Sequence, residues 1–205
     1  MFITFEGIDG SGKSTQAGRF AEWLGVAAAK EVVLTKEPGG TPECAVLRGL
    51  VTSGALRHPW SEAYLFMLDR AEHVAGLIKP ALDRGACVIC ERYHDSTLAY
   101  QVWGRGLPKG VFDELFRLSD FPVPDATVFF DLPVKEALSR VCGRGKPDAF
   151  EKEGEAFMSR IREGYLALAE LDPARWIVLN VAGLDEDAVF GLVCGAFEKR
   201  GLLRG

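Results

Sequence analysis

The sequence predicts an α/β fold: a five-stranded parallel sheet with helices on both faces. Two observations carry this reading. Short apolar runs alternate with longer stretches of helical period along the whole chain, the pattern of parallel strands joined by crossover helices. A glycine-rich segment also follows the first apolar run directly and leads into the first helical stretch. With 205 residues, 48% hydrophobic and 26% charged, the chain is long enough for a sizeable core without disulfide or metal support. It is expected to form a single domain, 1–205, since no repeat, low-complexity tract or linker divides it.

In chain order the strands are expected at 2–5, 31–35, 86–90, 126–130 and 176–179, each a short apolar run. Between them, helices are expected at 13–25, 42–52, 60–83, 95–103, 109–119, 133–142, 152–171 and 184–200. The stretch 60–83 is the clearest, with Ala63, Phe66, Met67, Val74, Leu77, Ile78 and Ala81 at helical spacing. Residues 142–148 break the pattern with two glycines, a proline and two cations, and read equally as a solvated turn or a short basic lid. In such sheets ligands sit beyond the carboxyl ends of the strands. That rule singles out residues 6–14, 36–40, 91–101, 131 and 180–183.

Charge and cysteine usage narrow the partners. Twenty-four basic against twenty-nine acidic residues give a net charge of −5, so no nucleic-acid partner is expected. The apolar runs fall short of the ~20 residues that span a bilayer, so no membrane association is expected either. The first residues lack the basic and apolar regions of a signal peptide. Five scattered cysteines, at 44, 87, 90, 142 and 194, suit reduced thiols and a cytoplasmic setting. Cys87 and Cys90 form a C-x-x-C within a strand, where residues three apart face opposite sides. They are read as buried thiols rather than a metal or disulfide pair.

The segment Gly7-Ile8-Asp9-Gly10-Ser11-Gly12-Lys13-Ser14 matches G-x-x-x-x-G-K-[ST] between a strand and a helix, and makes this a P-loop NTPase fold. Its backbone N–H groups form an anion nest at a helix N-terminus. Lys13 is placed to reach the β- and γ-phosphates, and the Ser14 hydroxyl to coordinate Mg²⁺. Asp9 either orients the metal or an acceptor sugar hydroxyl, or is a solvated turn carboxylate. A GTPase switch is disfavoured, because neither N-K-x-D nor a D-x-x-G after the loop is present.

Glu91-Arg92-Tyr93 places a carboxylate and a guanidinium directly after the third strand. Arginine binds phosphate through a bidentate fork. Glu91 either holds Mg²⁺ through water, orients Arg92, or forms a structural ion pair. Arg48 lies on the helix after Glu37-Pro38-Gly39-Gly40 and, taken alone, reads as a solvated helix residue. Arg70 falls on the apolar face of 60–83, four residues after Phe66. An unpaired guanidinium there is costly: either it meets a nucleobase beside the Phe66 ring, or Phe66 is core and Arg70 snorkels to solvent or pairs with a nearby carboxylate.

Taken together, the phosphate loop, Thr35-Lys36-Glu37-Pro38-Gly39-Gly40-Thr41, Leu65-Phe66-Met67-Leu68-Asp69-Arg70-Ala71, Glu91-Arg92-Tyr93, Ser96–Gln101 and Phe150-Glu151-Lys152-Glu153-Gly154 resemble bacterial thymidylate kinase, in order and over nearly the whole chain. The resemblance implies transfer of a phosphoryl group from Mg²⁺-ATP to dTMP, giving ADP and dTDP, in a cytosolic homodimer. It implies that Phe66 stacks on thymine and Arg70 bonds its carbonyl edge. Arg92 and Arg48 hold the dTMP phosphate, Thr97 and Gln101 line the base pocket, and Tyr100 presses on the deoxyribose. Glu37 and Asp9 complete the dTMP set. Arg140 packs on adenine. Arg144, in a lid at about 142–151, reaches the ATP phosphates and joins Lys13, Asp9 and Arg92 in catalysis.

Two positions depart from the family pattern: Glu91 stands where aspartate is usual, and Ala149 where the lid usually has a second arginine. The phosphate loop carries no arginine, so the charge falls to Arg144, with Lys146 beside it. A deoxynucleoside kinase remains an alternative, with Glu91 as base for a neutral hydroxyl acceptor. An ATP-binding regulatory module without catalysis is another.

Overall fold

The computed structural model describes residues 1–28, 31–142, 150 and 153–202. Five strands, β1 (Phe2–Glu6), β2 (Val32–Lys36), β3 (Cys87–Glu91), β4 (Ala126–Asp131) and β5 (Trp176–Asn180), form one parallel sheet in the order β2-β3-β1-β4-β5. All five expected strands are present, β2 and β3 each one residue later than the apolar runs suggested. β1 is central and buried throughout. The edge strands β2 and β5 instead alternate, exposing Leu34 and Val178, as strands with one free side do.

Helices α1 (Lys13–Ala28), α2 (Pro42–Thr52) and α3 (Pro59–His73) match expectation. α3 continues through a π-helical turn, Val74–Ile78, into α4 (Lys79–Asp83). Pro80 lacks an N–H and would crowd the carbonyl four residues back in a regular helix; the wider turn ahead of it relieves both. α5 (His94–Thr97) likewise runs into a π-helical segment, Leu98–Gly104. There follow α6 (Lys109–Ser119), α7 (Val134–Val141), α8 (Glu155–Leu171) and α9 (Glu186–Lys199). The expected lid at 142–151 lies, apart from Cys142 and Phe150, outside the described residues.

Strand register decides which face each residue serves. Phe5 pairs with Glu91 on β3 and Val128 on β4, so Phe5, Ile89, Val128 and Phe130 share one face. There Phe5 packs on Phe130 and on Phe20 of α1, which packs in turn on Phe197 of α9. On the other face Phe2, Val88 and Cys90 meet Val74, Ile78 and Ala81 of the 59–83 helical run, and Phe129 stacks at 5.1 Å on Tyr165 of α8. Each fully buried phenylalanine contributes roughly 1.5–3 kcal/mol. Cys87 packs with Ile89 in the first cluster and Cys90 with Val88 in the second, opposite faces as their spacing requires.

Candidate active site

The phosphate loop leaves β1 at the sheet's centre and enters α1 at Lys13. Gly10 has φ +87°, and a Cβ there would lie 2.5 Å from the Ala137 carbonyl oxygen; only glycine lets α7 close on the loop. Lys13 is buried, with Nζ 3.2 Å from Asp9 Oδ1 and 3.8 Å from Glu91 Oε1. Burial and the Arg92 charge lower its pKa, while Asp9 and Glu91 oppose them.

The alternation of β3 separates Glu91 from Arg92. Glu91 continues the Ile89 face towards α1, where its Oε1 accepts a 2.8 Å bond from Ser14 Oγ. Arg92 sits in the left-handed region at φ 65° and turns the other way. Its Nη2 donates to Asp9 Oδ1 at 2.7 Å, and its Nη1 to the Ser96 and Tyr165 hydroxyls, both at 3.3 Å. Tyr100 lies beneath the guanidinium at 4.9 Å. Arg92 thus takes Asp9, rather than Glu91, as its hydrogen-bonding carboxylate. Burial pushes the Asp9 carboxyl up, but Arg92 and Lys13 outweigh it and hold Asp9 far below the usual carboxylate range.

Arg70 is buried, and the partner it has here is a carboxylate. Its Nε and Nη2 donate to Glu37 Oε2 at 2.9 and 2.7 Å, and Nη1 donates to Thr97 Oγ1 at 3.0 Å. Glu37 Oε1 is bonded to His73 Nδ1, whose Nε2 reaches Thr35 Oγ1. Glu37, His73 and Cys90 are residue types that bind metals, but both Glu37 oxygens and both His73 nitrogens already have protein partners here. The cluster is a hydrogen-bond network that fixes Arg70.

Among the clefts at this edge of the sheet, two gather the expected site residues. The first, of about 520 Å³, is lined by Asp9, Glu37, Arg48, Phe66, Arg70, Arg92, Thr97, Tyr100 and Gln101, which are all the residues expected around the acceptor. Phe66 is half-buried, its ring 6.2 Å from Phe150, and Phe150 meets Tyr100 edge-on at 5.5 Å. Gln101 Nε2 donates to Glu62 at 2.7 Å; this fixes the amide and leaves Oε1 buried with no partner among the described residues. Arg48 Nη1 donates to the Pro38 carbonyl. The second cleft, of about 1420 Å³, is lined by residues 9–16, Glu91, Arg140 and the turn into α9 at Leu184–Glu186. Asp9 and Arg48 line both clefts. Arg140 is held by Glu136 one turn earlier. Arg144 lies outside the described residues. Asp131, also at the strand ends, is engaged by Arg162 at 2.6 Å.

Sequence reasoning assigned no role to Phe150, which completes the aromatic wall, or to Glu6 and Tyr165, which contact Arg92's surroundings. Glu6 carried a signal: a carboxylate ending a buried apolar strand, directly before the loop. Tyr165 carried none beyond its place on a helix.

A family model described as thymidylate kinase matches residues 5–189. The thymidylate kinase of Pseudomonas fluorescens strain Pf-5 is 44% identical over 188 residues, covering 89% of this chain and 88% of that protein. That of Thermomicrobium roseum is 42% identical, covering 97% and 96%. The crystal structure of thymidylate kinase from Ehrlichia chaffeensis superposes with a TM-score of 0.79 at 35% identity, over 97% of this chain and 98% of that one. With the family model matching most of the chain and these relatives covering it nearly end to end, the chain belongs to the thymidylate kinase family.

Proposed function

We propose that the chain transfers the γ-phosphoryl group of ATP to dTMP, giving ADP and dTDP, with dTMP in the smaller cleft and ATP in the larger. The observation that carries this is the junction: Asp9 and Arg48 line both clefts, so two polyanions can meet end to end beside Lys13 and Arg92. A phosphate monoester is mostly a dianion at neutral pH and needs no base to attack. The protein's work is placement and charge compensation. Lys13 meets the donor phosphates, Arg92 and Arg48 the acceptor phosphate, and Asp9 aligns Lys13 and Arg92 against each other.

Base recognition follows from the donors and acceptors in the pocket. The unpartnered Gln101 Oε1 accepts from thymine N3–H, and Arg70 donates to a ring carbonyl, with Phe66 stacked on the ring. Cytosine has an acceptor at N3 and an amino group at C4, so it opposes both. Uracil keeps both and lacks only the methyl group, a loss worth about 1–3 kcal/mol. Tyr100 lies against the sugar.

Ser14 and Glu91 offer hard oxygen donors side by side, which suits Mg²⁺. Bound there, Mg²⁺ neutralises charge on the donor phosphates. The deoxynucleoside-kinase alternative needs Glu91 as base in the acceptor cleft. Glu91 lines the other cleft and is bonded to Ser14. Arg144 is assigned to the ATP phosphates as the lid arginine, within a single catalytic domain spanning 1–205.

The chain is read further as a homodimer. Val46 and Leu50 on α2, and Tyr64 and Leu68 on α3, are each four residues apart on one face of their helix and stay exposed, and the two helices pack together. All five thiols are free, which suits a cytoplasmic setting. Among the described residues no helix is long and apolar enough to cross a membrane.

The test is ADP release from Mg²⁺-ATP with dTMP, dUMP or dCMP offered separately. Turnover in the order dTMP, dUMP, then negligible dCMP is expected; equal use of dCMP contradicts the base assignment.

A further inference from the structure

Arg92 is held from two sides, and only one of them belongs to the reaction centre. Asp9 takes Nη2 at the junction of the clefts. Behind it, Nη1 faces the Ser96 and Tyr165 hydroxyls, which lie 2.7 Å apart. Both hydroxyls converge on one atom: Ser96 Oγ donates to Glu6 Oε2 at 2.6 Å and Tyr165 OH donates to it at 3.1 Å. The other oxygen, Glu6 Oε1, accepts the Tyr93 N–H at 2.8 Å, the peptide that follows the left-handed Arg92. The Arg92 N–H itself is bonded to the Phe5 carbonyl, next to Glu6 on β1. Glu6 is fully buried and touches neither cleft.

We propose that Glu6 is a positioning residue for phosphoryl transfer, fixing the Arg92 guanidinium through the Ser96 and Tyr165 hydroxyls and its backbone turn through the Tyr93 amide. The proposal rests on the reading that Arg92 binds the acceptor phosphate. A hydroxyl has one proton. When Ser96 gives its proton to the Glu6 carboxylate and Tyr165 shares its own between Glu6 and Ser96 Oγ, lone pairs on both hydroxyls are left for the Arg92 N–H groups. The carboxylate therefore sets the polarity of the whole relay. Arg92 is then aimed before substrate arrives, so binding need not order it. A glutamine in place of Glu6 keeps the shape and the acceptor for Tyr93 N–H. It turns an NH₂ donor towards the two hydroxyls, which drives their protons towards Arg92.

The experiment is steady-state kinetics at pH 8 on wild type, Glu6→Gln, Tyr165→Phe, the double variant and Arg92→Ala. Glu6→Gln is expected to raise KM for dTMP about tenfold, the scale of one hydrogen bond to a charged group, with KM for ATP within about twofold. Tyr165→Phe keeps the ring stacked on Phe129 and removes one hydroxyl, and should raise KM for dTMP about threefold. In the double variant the two effects should combine to less than their product, because they act on one relay. The proposal is overturned by an unchanged KM for dTMP in Glu6→Gln, by equal losses for ATP and dTMP, or by strictly multiplicative effects. If Glu6→Gln does not fold, an unchanged KM for dTMP in Tyr165→Phe overturns it instead. Arg92→Ala separates the two readings: if that variant keeps its KM for dTMP, the acceptor-phosphate assignment fails and Glu6 falls with it. If Arg92→Ala loses dTMP and Glu6→Gln does not, Glu6 fails alone.

Discussion

Arg70 is 1% exposed, with its guanidinium between Glu37 and Thr97 and the Tyr93 and Phe116 rings at 5.0 and 5.6 Å. Truncating one partner of a buried ion pair strands the other charge, a loss of about 3–5 kcal/mol. Arg70→Ala is therefore expected to destabilise the fold by that amount, read by chemical denaturation, and to abolish dTMP selectivity. A loss under about 1 kcal/mol would mean that Glu37 is satisfied by His73 alone. The sequence placed Arg70 on an apolar face, but left open whether it met a base, a carboxylate or solvent. Glu37 lies on another element, and no local spacing rule links it to Arg70. The relay through Glu6 was hidden for the same reason, since Tyr165 comes to it from α8. What the phosphate-loop and Glu-Arg-Tyr motifs made legible were residues that lie close to their own strand end.

The π-helical segment Leu98–Gly104 carries Tyr100 and Gln101, and α8 packs against it at glycine-level distance. A Cβ on Gly164 would lie 2.7 Å from the Trp103 ring. Gly164→Ala is expected to push the segment away from α8, destabilise the protein by about 1–3 kcal/mol, and raise KM for dTMP more than KM for ATP. Unaltered stability and kinetics would show that Trp103 moves freely. The π turns themselves were not legible, because one wide turn shifts a long apolar stripe by a single residue and leaves its helical appearance intact. Helix positions were otherwise read well, since capped amphipathic stretches depend on local sequence. The lid belongs to this scale too. In the role proposed for it, Arg144 contacts phosphates on which charge builds in the transition state, so Arg144→Ala should lower kcat far more than it raises KM. An unchanged kcat would remove Arg144 from the reaction, and a Lys146→Ala variant would show whether the charge comes from there.

At the scale of the whole molecule, parallel strands buried on both faces made the sheet readable, because near-continuous apolar runs have few other uses in a chain of this composition. Strand order was not readable, yet it sets β1 between β3 and β4 and brings Glu6 beside Arg92. That burial has a pH consequence. Desolvation first, and the Asp95 charge second, raise the Glu6 carboxyl from 4.5 to about 7, against hydrogen bonds from Ser96 and Tyr93 and the Arg92 charge. An acid with a raised folded-state pKa binds its proton more tightly when folded. Its contribution is therefore fully present below about pH 4.5 and is lost as pH rises through 7, on the order of 3 kcal/mol. Glu6→Gln should accordingly gain stability relative to wild type between pH 5 and pH 8, as read by denaturant midpoints. A constant difference across that range would contradict the burial argument.

The central claim is that the junction of the two clefts joins two phosphate-bearing ligands. Its most direct measurement is the rate of ADP formation from saturating Mg²⁺-ATP with either dTMP or thymidine as acceptor. The account predicts turnover with dTMP and none above background ATP hydrolysis with thymidine, because Arg92 and Arg48 have nothing to hold on the nucleoside and, among the described residues, both carboxylates of the smaller cleft, Asp9 and Glu37, are taken by arginines. Turnover with thymidine matching that with dTMP would contradict it.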